Sequence, residues 1–111
     1  MGTRTHFSTF ELMVMLALGR LGPDAYGVPI AREIEESSGR DVVLGSVYAA
    51  LERLQQKGFA TSTMGDPTPE RGGRAKRYFR LTAAGQREIR DAQRTLTKLW
   101  RGIEKFRGET A

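Results

Sequence analysis

The sequence predicts a mainly α-helical chain that carries one small β-hairpin and ends in a long helix, and three of its features do so. Ser8-Thr9-Phe10-Glu11 has the form of a capping box immediately ahead of an apolar run, so a first helix starts near Thr9. Val47, Ala50, Leu51 and Leu54 fall at i, i+3, i+4 and i+7, which is the inward stripe of another helix. Ile89, Ala92, Leu96, Leu99, Ile103 and Phe106 recur at alternating steps of three and four residues, the seam of a helix that pairs with a second helix.

Taken in order, the first helix runs to Arg20 or Leu21, where Gly22 supplies a left-handed stop and Pro23 forbids continuation. Phe10 and the unbroken apolar run Leu12 to Leu18 cover nearly every side of it, so it is buried on more than one face. Tyr26 and Gly27 open a second helix with Pro29 in its first turn, an inward stripe of Ile30, Ala31 and Ile34, and a stop at Gly39. Asp41 to Leu44 reads as an extended connector, and a third helix starts at Gly45 or Ser46 and stops at Gly58. Its outward face is Gly45, Ser46, Ala49, Glu52, Arg53 and Gln56, with Tyr48 on the flank. Phe59 to Met64 and Ala75 to Leu81 suit paired strands, and the segment between them, Gly65 to Arg74, is too long for a tight turn and projects as a wing. Thr82 caps a last helix reaching about Phe106 or Arg107, with Gly85 near its start as a tolerated cost. Three helices, a hairpin and a long helix make a winged helix-turn-helix domain over residues 1–81 and a dimerisation helix and tail over residues 82–111.

The 111 residues suffice for one core. Lys and Arg number 18 against 13 for Asp and Glu, a net charge of +5, which favours a polyanionic partner. With no Cys and the single His6 near the terminus, there is no thiolate metal site and no relay of nucleophile, His and Asp. No P-loop, dinucleotide glycine pattern or metal-ligand spacing is present, so the chain reads as a non-enzyme that needs no cofactor and no metal. The longest apolar run is too short to span a bilayer, and the expectation is a cytoplasmic protein without a membrane partner.

A third helix with a thin outer face, followed by a basic hairpin, is how a winged helix meets double-stranded DNA: the helix enters the major groove and the wing follows the backbone or minor groove. Gly45, Ser46 and Ala49 allow close approach to base edges; Ser46 and Tyr48 touch phosphate or base, and Arg53 reaches backbone. Arg71, Arg74, Lys76, Arg77 and Arg80 place five cations within ten residues of the wing, enough to supply much of a salt-dependent affinity. Simpler roles exist for each: a solvated hairpin face for the cations, a filler between helices 2 and 3 for Tyr48, a carboxylate partner for Arg53. Glu52 opposes phosphate and sits past the DNA or orients a neighbouring Arg. The competing functional class is a winged-helix protein-interaction module that does not read DNA, against which the wing cations argue.

The last helix, about 38 Å long for some 25 residues, overhangs a preceding domain whose radius of gyration is only about 12 Å. Its seam, widened by Trp100, is therefore expected to bury against the same helix, or against Phe10 and Met13 of the apolar first helix, in a second subunit; the alternative is a helix folded back on its own core. Two-fold symmetry would set paired helices on a near-palindromic operator.

Glu11-Leu12 to Leu18, Asp24-Ala25-Tyr26-Gly27 with Ile30 to Glu35, Gly45 to Leu54 with Lys57-Gly58-Phe59, Arg71 to Phe79, and Leu81-Thr82-Ala83-Ala84-Gly85 together resemble the PadR-type transcriptional regulators, in their short, compact branch. The likeness runs over about residues 8 to 106. It implies a homodimeric winged-helix regulator, usually a repressor, dimerised by its C-terminal helix, and adds Tyr26, Gly72 and Gly73 to the DNA-binding set. It also implies release by a small aromatic or drug-like effector, for which Phe7, Phe10 and Trp100 are the candidate pocket. Two departures from the family pattern stand out: Ala49 occupies a position where Pro often follows the Tyr, and the wing carries an extra Pro67-Thr68-Pro69.

Overall fold

The computed structural model describes residues 7–65 and 75–103. They form α1 (Thr9–Leu21), a single 3-10 turn (Gly22–Asp24), α2 (Gly27–Ser38), α3 (Leu44–Gln56), β1 (Ala60–Met64), β2 (Arg77–Leu81) and α4 (Ala83–Arg101).

The capping box forms as the sequence predicts. The Ser8 hydroxyl accepts from the Glu11 amide at 3.1 Å, and the Ser8 amide donates to Glu11 Oε1 at 3.0 Å. From there α1 runs through the middle of the molecule, with Val14 and Met15 fully buried and Ala17 and Leu18 nearly so. Ile30 and Ile34 of α2, and Val47, Ala50, Leu51 and Leu54 of α3, close around it. Burying a side chain of the Leu or Ile class stabilises the fold by about 1.5–3 kcal/mol, so this stripe-on-stripe packing fixes the angle at which α3 leaves the core.

α3 ends in a tight reversal. Gly58 has φ +82°, a left-handed conformation that costs glycine little, and the Phe59 amide bonds back to the Leu54 carbonyl at 2.9 Å. Phe59 is thereby turned into the core, 5% exposed, rather than starting the strand. β1 and β2 pair antiparallel, with Ala60 opposite Leu81 and Met64 opposite Arg77, and the Gly65 amide extends the ladder to the Lys76 carbonyl at 2.7 Å. A further bond, from the Phe79 amide to the Ala25 carbonyl at 2.8 Å, ties β2 to the segment that leads into α2.

α4 starts where Thr82 caps it: the hydroxyl accepts from the Gly85 amide at 3.0 Å and donates to the Gly58 carbonyl at 2.6 Å. Gly85 is here by necessity, not as a mere cost to the helix, because a Cβ at this position would overlap the Phe59 carbonyl oxygen. The first turn of α4 thus lies directly on the α3–β1 junction.

Besides the start of β1, three boundaries differ from the sequence expectation. α3 begins at Leu44, one residue before the expected start, β2 begins at Arg77 rather than Ala75, and α4 ends at Arg101 rather than Phe106. At that last end Gly102 and Ile103 donate to the Leu99 and Trp100 carbonyls, at 3.2 and 3.0 Å, so the backbone tightens and stops at a poor helix former. Ile103 falls beyond the helix and Phe106 outside the described residues, which leaves Ile89, Ala92, Leu96 and Leu99 as the helical part of the seam.

Candidate nucleic-acid interface

The edge of α3 is set up by its connector. Gly39 closes α2, and Glu35 Oε2 then accepts from the Val42 amide at 2.9 Å, holding Asp41 to Val43 extended. Val43 is the N-cap, and its carbonyl receives the Ser46 and Val47 amides at 2.9 and 3.3 Å. Because one stripe of α3 faces the core, Gly45, Ser46, Ala49, Glu52 and Arg53 are all exposed on the other side. Within it Gly45, Ser46 and Ala49 carry nothing larger than a hydroxymethyl group, which permits the close approach that base contact requires.

A buried carboxylate anchors the opposite end. Glu11, 3% exposed, accepts from Arg53 Nε at 2.5 Å and from Lys57 Nζ at 2.8 Å, while also accepting from the Ser8 amide. Burial by itself raises its pKa, but the hydrogen bonds from Lys57, Arg53 and the Ser8 backbone outweigh that effect and hold the carboxyl below its ordinary value. Arg53 therefore has the carboxylate partner that the sequence left as one of two roles. Its side chain remains 49% exposed, so the guanidinium is fixed along one edge and open along the other. Sequence reasoning assigned Glu11 to the cap alone; its tie to a position 42 residues away carries no local signal.

Tyr48 lies on the flank, 43% exposed, with its hydroxyl packed over Gly27, where a Cβ would overlap it. It fills the α2–α3 junction and still reaches the surface. Tyr26, the α2 N-cap, meets Tyr78 of β2 edge to face, centroids 5.4 Å apart, with Lys76 Nζ 4.9 Å above its ring. This cluster joins the base of the wing to the amino end of α2. The other wing cations divide: Arg77 donates to the Ser62 hydroxyl and lies over Phe79, Arg80 borders a broad hollow beside α4, and Arg71, Gly72, Gly73 and Arg74 lie outside the described residues.

α4 changes character along its length. Ile89 packs on the core and Ala92 is half-buried, but Leu96, Leu99 and Trp100 are 47%, 62% and 64% exposed. Between α4 and α1 runs a groove of about 360 Å³, walled by Leu12 and Leu16 on one side and Leu96 and Trp100 on the other. Phe10 and Met13, expected to face a partner, are half-buried and pack against the chain's own core. Nor do Phe7, Phe10 and Trp100 converge within one chain. Phe7 packs edge to face on Phe59 at 6.2 Å, Phe10 borders a hollow beside Ser46 and Arg53, and Trp100 lines the α1–α4 groove. Within one chain the three aromatic side chains thus line separate places, Phe7 preceding α1 and Phe10 in its first turn.

Three helices packed on one core, the third with a small-residue exposed edge, followed by an antiparallel hairpin, define a winged helix-turn-helix DNA-binding fold. Residues 15–91 match the model of the transcriptional regulator PadR-like family, and the chain belongs to that family. It is accordingly a transcriptional regulator and not an enzyme. Solved structures agree on the fold. A PadR-like transcription factor from Bacteroides fragilis is 24% identical with a TM-score of 0.74, over 87% of this chain and 88% of that one. A PadR family regulator from Clostridium difficile R20291 is 22% identical with a TM-score of 0.75, over 91% and 100%. Bacillus subtilis PadR, solved in complex with operator DNA, is 22% identical with a TM-score of 0.66; the match covers 78% of this chain and 48% of that one. No curated protein matches the chain. Among the described residues no helix is long and apolar enough to cross a membrane, and no group of His, Cys, Asp and Glu could hold a metal ion.

Proposed function

We propose that the chain is a homodimeric repressor that reads a near-palindromic operator in duplex DNA, with residues 1–81 as the reading head and residues 82–111 as the dimerising helix and tail. The observation that carries this reading is the exposed edge Gly45, Ser46, Ala49, which is thin where α3 would enter a major groove and is flanked by Tyr48 and Arg53. Tyr26 and Lys76 stand where the wing meets α2, and Arg71, Gly72, Gly73 and Arg74 complete the backbone-contacting set. Bacillus subtilis PadR, solved in complex with operator DNA, supports operator DNA as the partner of this chain. Dimerisation is supported by Leu96, Leu99 and Trp100, whose exposed apolar surface a second copy of α4 or α1 would cover. Release by a small aromatic or drug-like effector belongs to the same reading, with Trp100 and the groove it walls as the receiving surface. The place of action is the cytoplasm, where the target DNA lies.

Selection of bound duplexes from a random pool tests the proposal. Enrichment of one near-palindromic sequence is the expected outcome, and a pool that stays random removes the reading. The double variant Arg74→Ala, Lys76→Ala should weaken binding to all sequences together and lower the slope of log affinity against log salt by about 1 for each phosphate no longer neutralised.

A further inference from the structure

The amino end of α3 carries two apolar side chains that the described residues leave open: Val43 is 70% exposed and Leu44 is 39% exposed. Neither assists the helix locally. A Ser, Thr, Asn or Asp at the N-cap would satisfy a backbone amide, whereas the Val43 side chain makes no capping bond and holds an isopropyl group in water. Val43 borders a hollow of about 390 Å³ together with Ala49, Phe10, Ser46, Arg53 and Asp41. This hollow is continuous with the Gly45–Ser46–Ala49 edge, and the chain's net charge of +5 favours a polyanion as its partner.

The lining decides which part of that partner fits. Arg53 on the lining is already paired with Glu11 and the Asp41 carboxylate opposes a phosphate, while the side chains of Val42, Val43, Ala49 and Phe10 beside the Ser46 hydroxyl suit the rim of a base. On the major-groove side only thymine presents a methyl group. We infer that Val43, with Leu44 beside it, is a specificity-determining residue that packs on the 5-methyl group of thymine, so that each half of the operator carries thymine opposite the start of α3. This rests on the reading of α3 as the helix that enters the major groove.

Deoxyuridine differs from thymidine by that methyl group alone and keeps every hydrogen-bonding atom. The test uses the full-length protein and the duplexes enriched from the random pool, synthesised once with thymine and once with uracil. Loss of one buried methyl group should weaken binding about fourfold, and of a symmetric pair about sixteenfold. The variant Val43→Ala, Leu44→Ala should bind the thymine duplex more weakly and discriminate less between the two, with only a small loss of melting temperature because Val43 is 70% and Leu44 39% exposed. Equal affinity for thymine and uracil duplexes, or an undiminished preference in the double variant, overturns the inference and leaves DNA reading by α3 intact. Failure to enrich any duplex at the outset removes that reading, and the inference with it.

Discussion

Ser46→Glu is expected to abolish selective binding while leaving the fold intact. Ser46 is exposed on α3 and its side chain holds no cap, so the change should move stability by no more than about 0.5 kcal/mol, as for surface substitutions that disturb no special contact. In the major groove the same side chain would set a carboxylate beside phosphates. Like charges brought together in an interface cost several kcal/mol, and two subunits would each meet that cost, so an affinity loss of about 100-fold or more is predicted. Titration of the selected duplex by fluorescence anisotropy, beside a thermal melt of the variant, checks both halves. Retained selectivity with a normal melt would show that α3 docks by some other face.

Glu11→Gln is expected to destabilise the fold by about 2–3 kcal/mol at neutral pH. Removing one partner of a buried ion pair costs about 3–5 kcal/mol when it leaves a charge stranded. Here Arg53 and Lys57 retain 49% and 26% exposure and recover part of their hydration, which lowers the figure. The pH dependence follows from the direction of the shift. A carboxyl whose folded pKa lies below its unfolded one contributes stability that is fully present above the unfolded value and lost as pH falls through the folded value. The difference between parent and variant in urea unfolding should accordingly be largest at neutral pH and shrink in acid. A difference that is constant across that range would mean that the carboxylate is not paired as described. The variant also frees the guanidinium of Arg53, so its DNA affinity should fall even where it is fully folded.

The contrast between these two residues marks what the sequence conveys. Ser46 was legible because its exposure follows from the period of Val47, Ala50, Leu51 and Leu54, which fixes the opposite face by subtraction. The capping box, the Gly58 reversal and the Thr82 cap were legible for a similar reason: each is a short-range pattern with its own chemistry. Glu11 illustrates the limit. Its cap bonds to Ser8 lie within three residues, but its partners Arg53 and Lys57 meet it only after α1 and α3 have packed. Val43 was hidden differently. Spaced four residues before Val47, it falls on the apolar stripe, yet its extended N-cap backbone turns it outward. Gly85 looked like a defect in a helix because the carbonyl it accommodates belongs to Phe59, in another part of the chain. On α4 the heptad spacing continued past the point where Gly102 lets the backbone tighten, so periodicity overstated the length of the seam.

The most direct measurement is a hydroxyl-radical footprint of the parent protein on the selected duplex. If two copies joined along α4 each insert α3 into a major groove, the backbone will be protected in two patches of equal strength, related by a dyad and centred about 10 base pairs, or a whole multiple of one helical turn, apart. One patch alone, or two whose spacing matches no whole number of turns, would contradict the account.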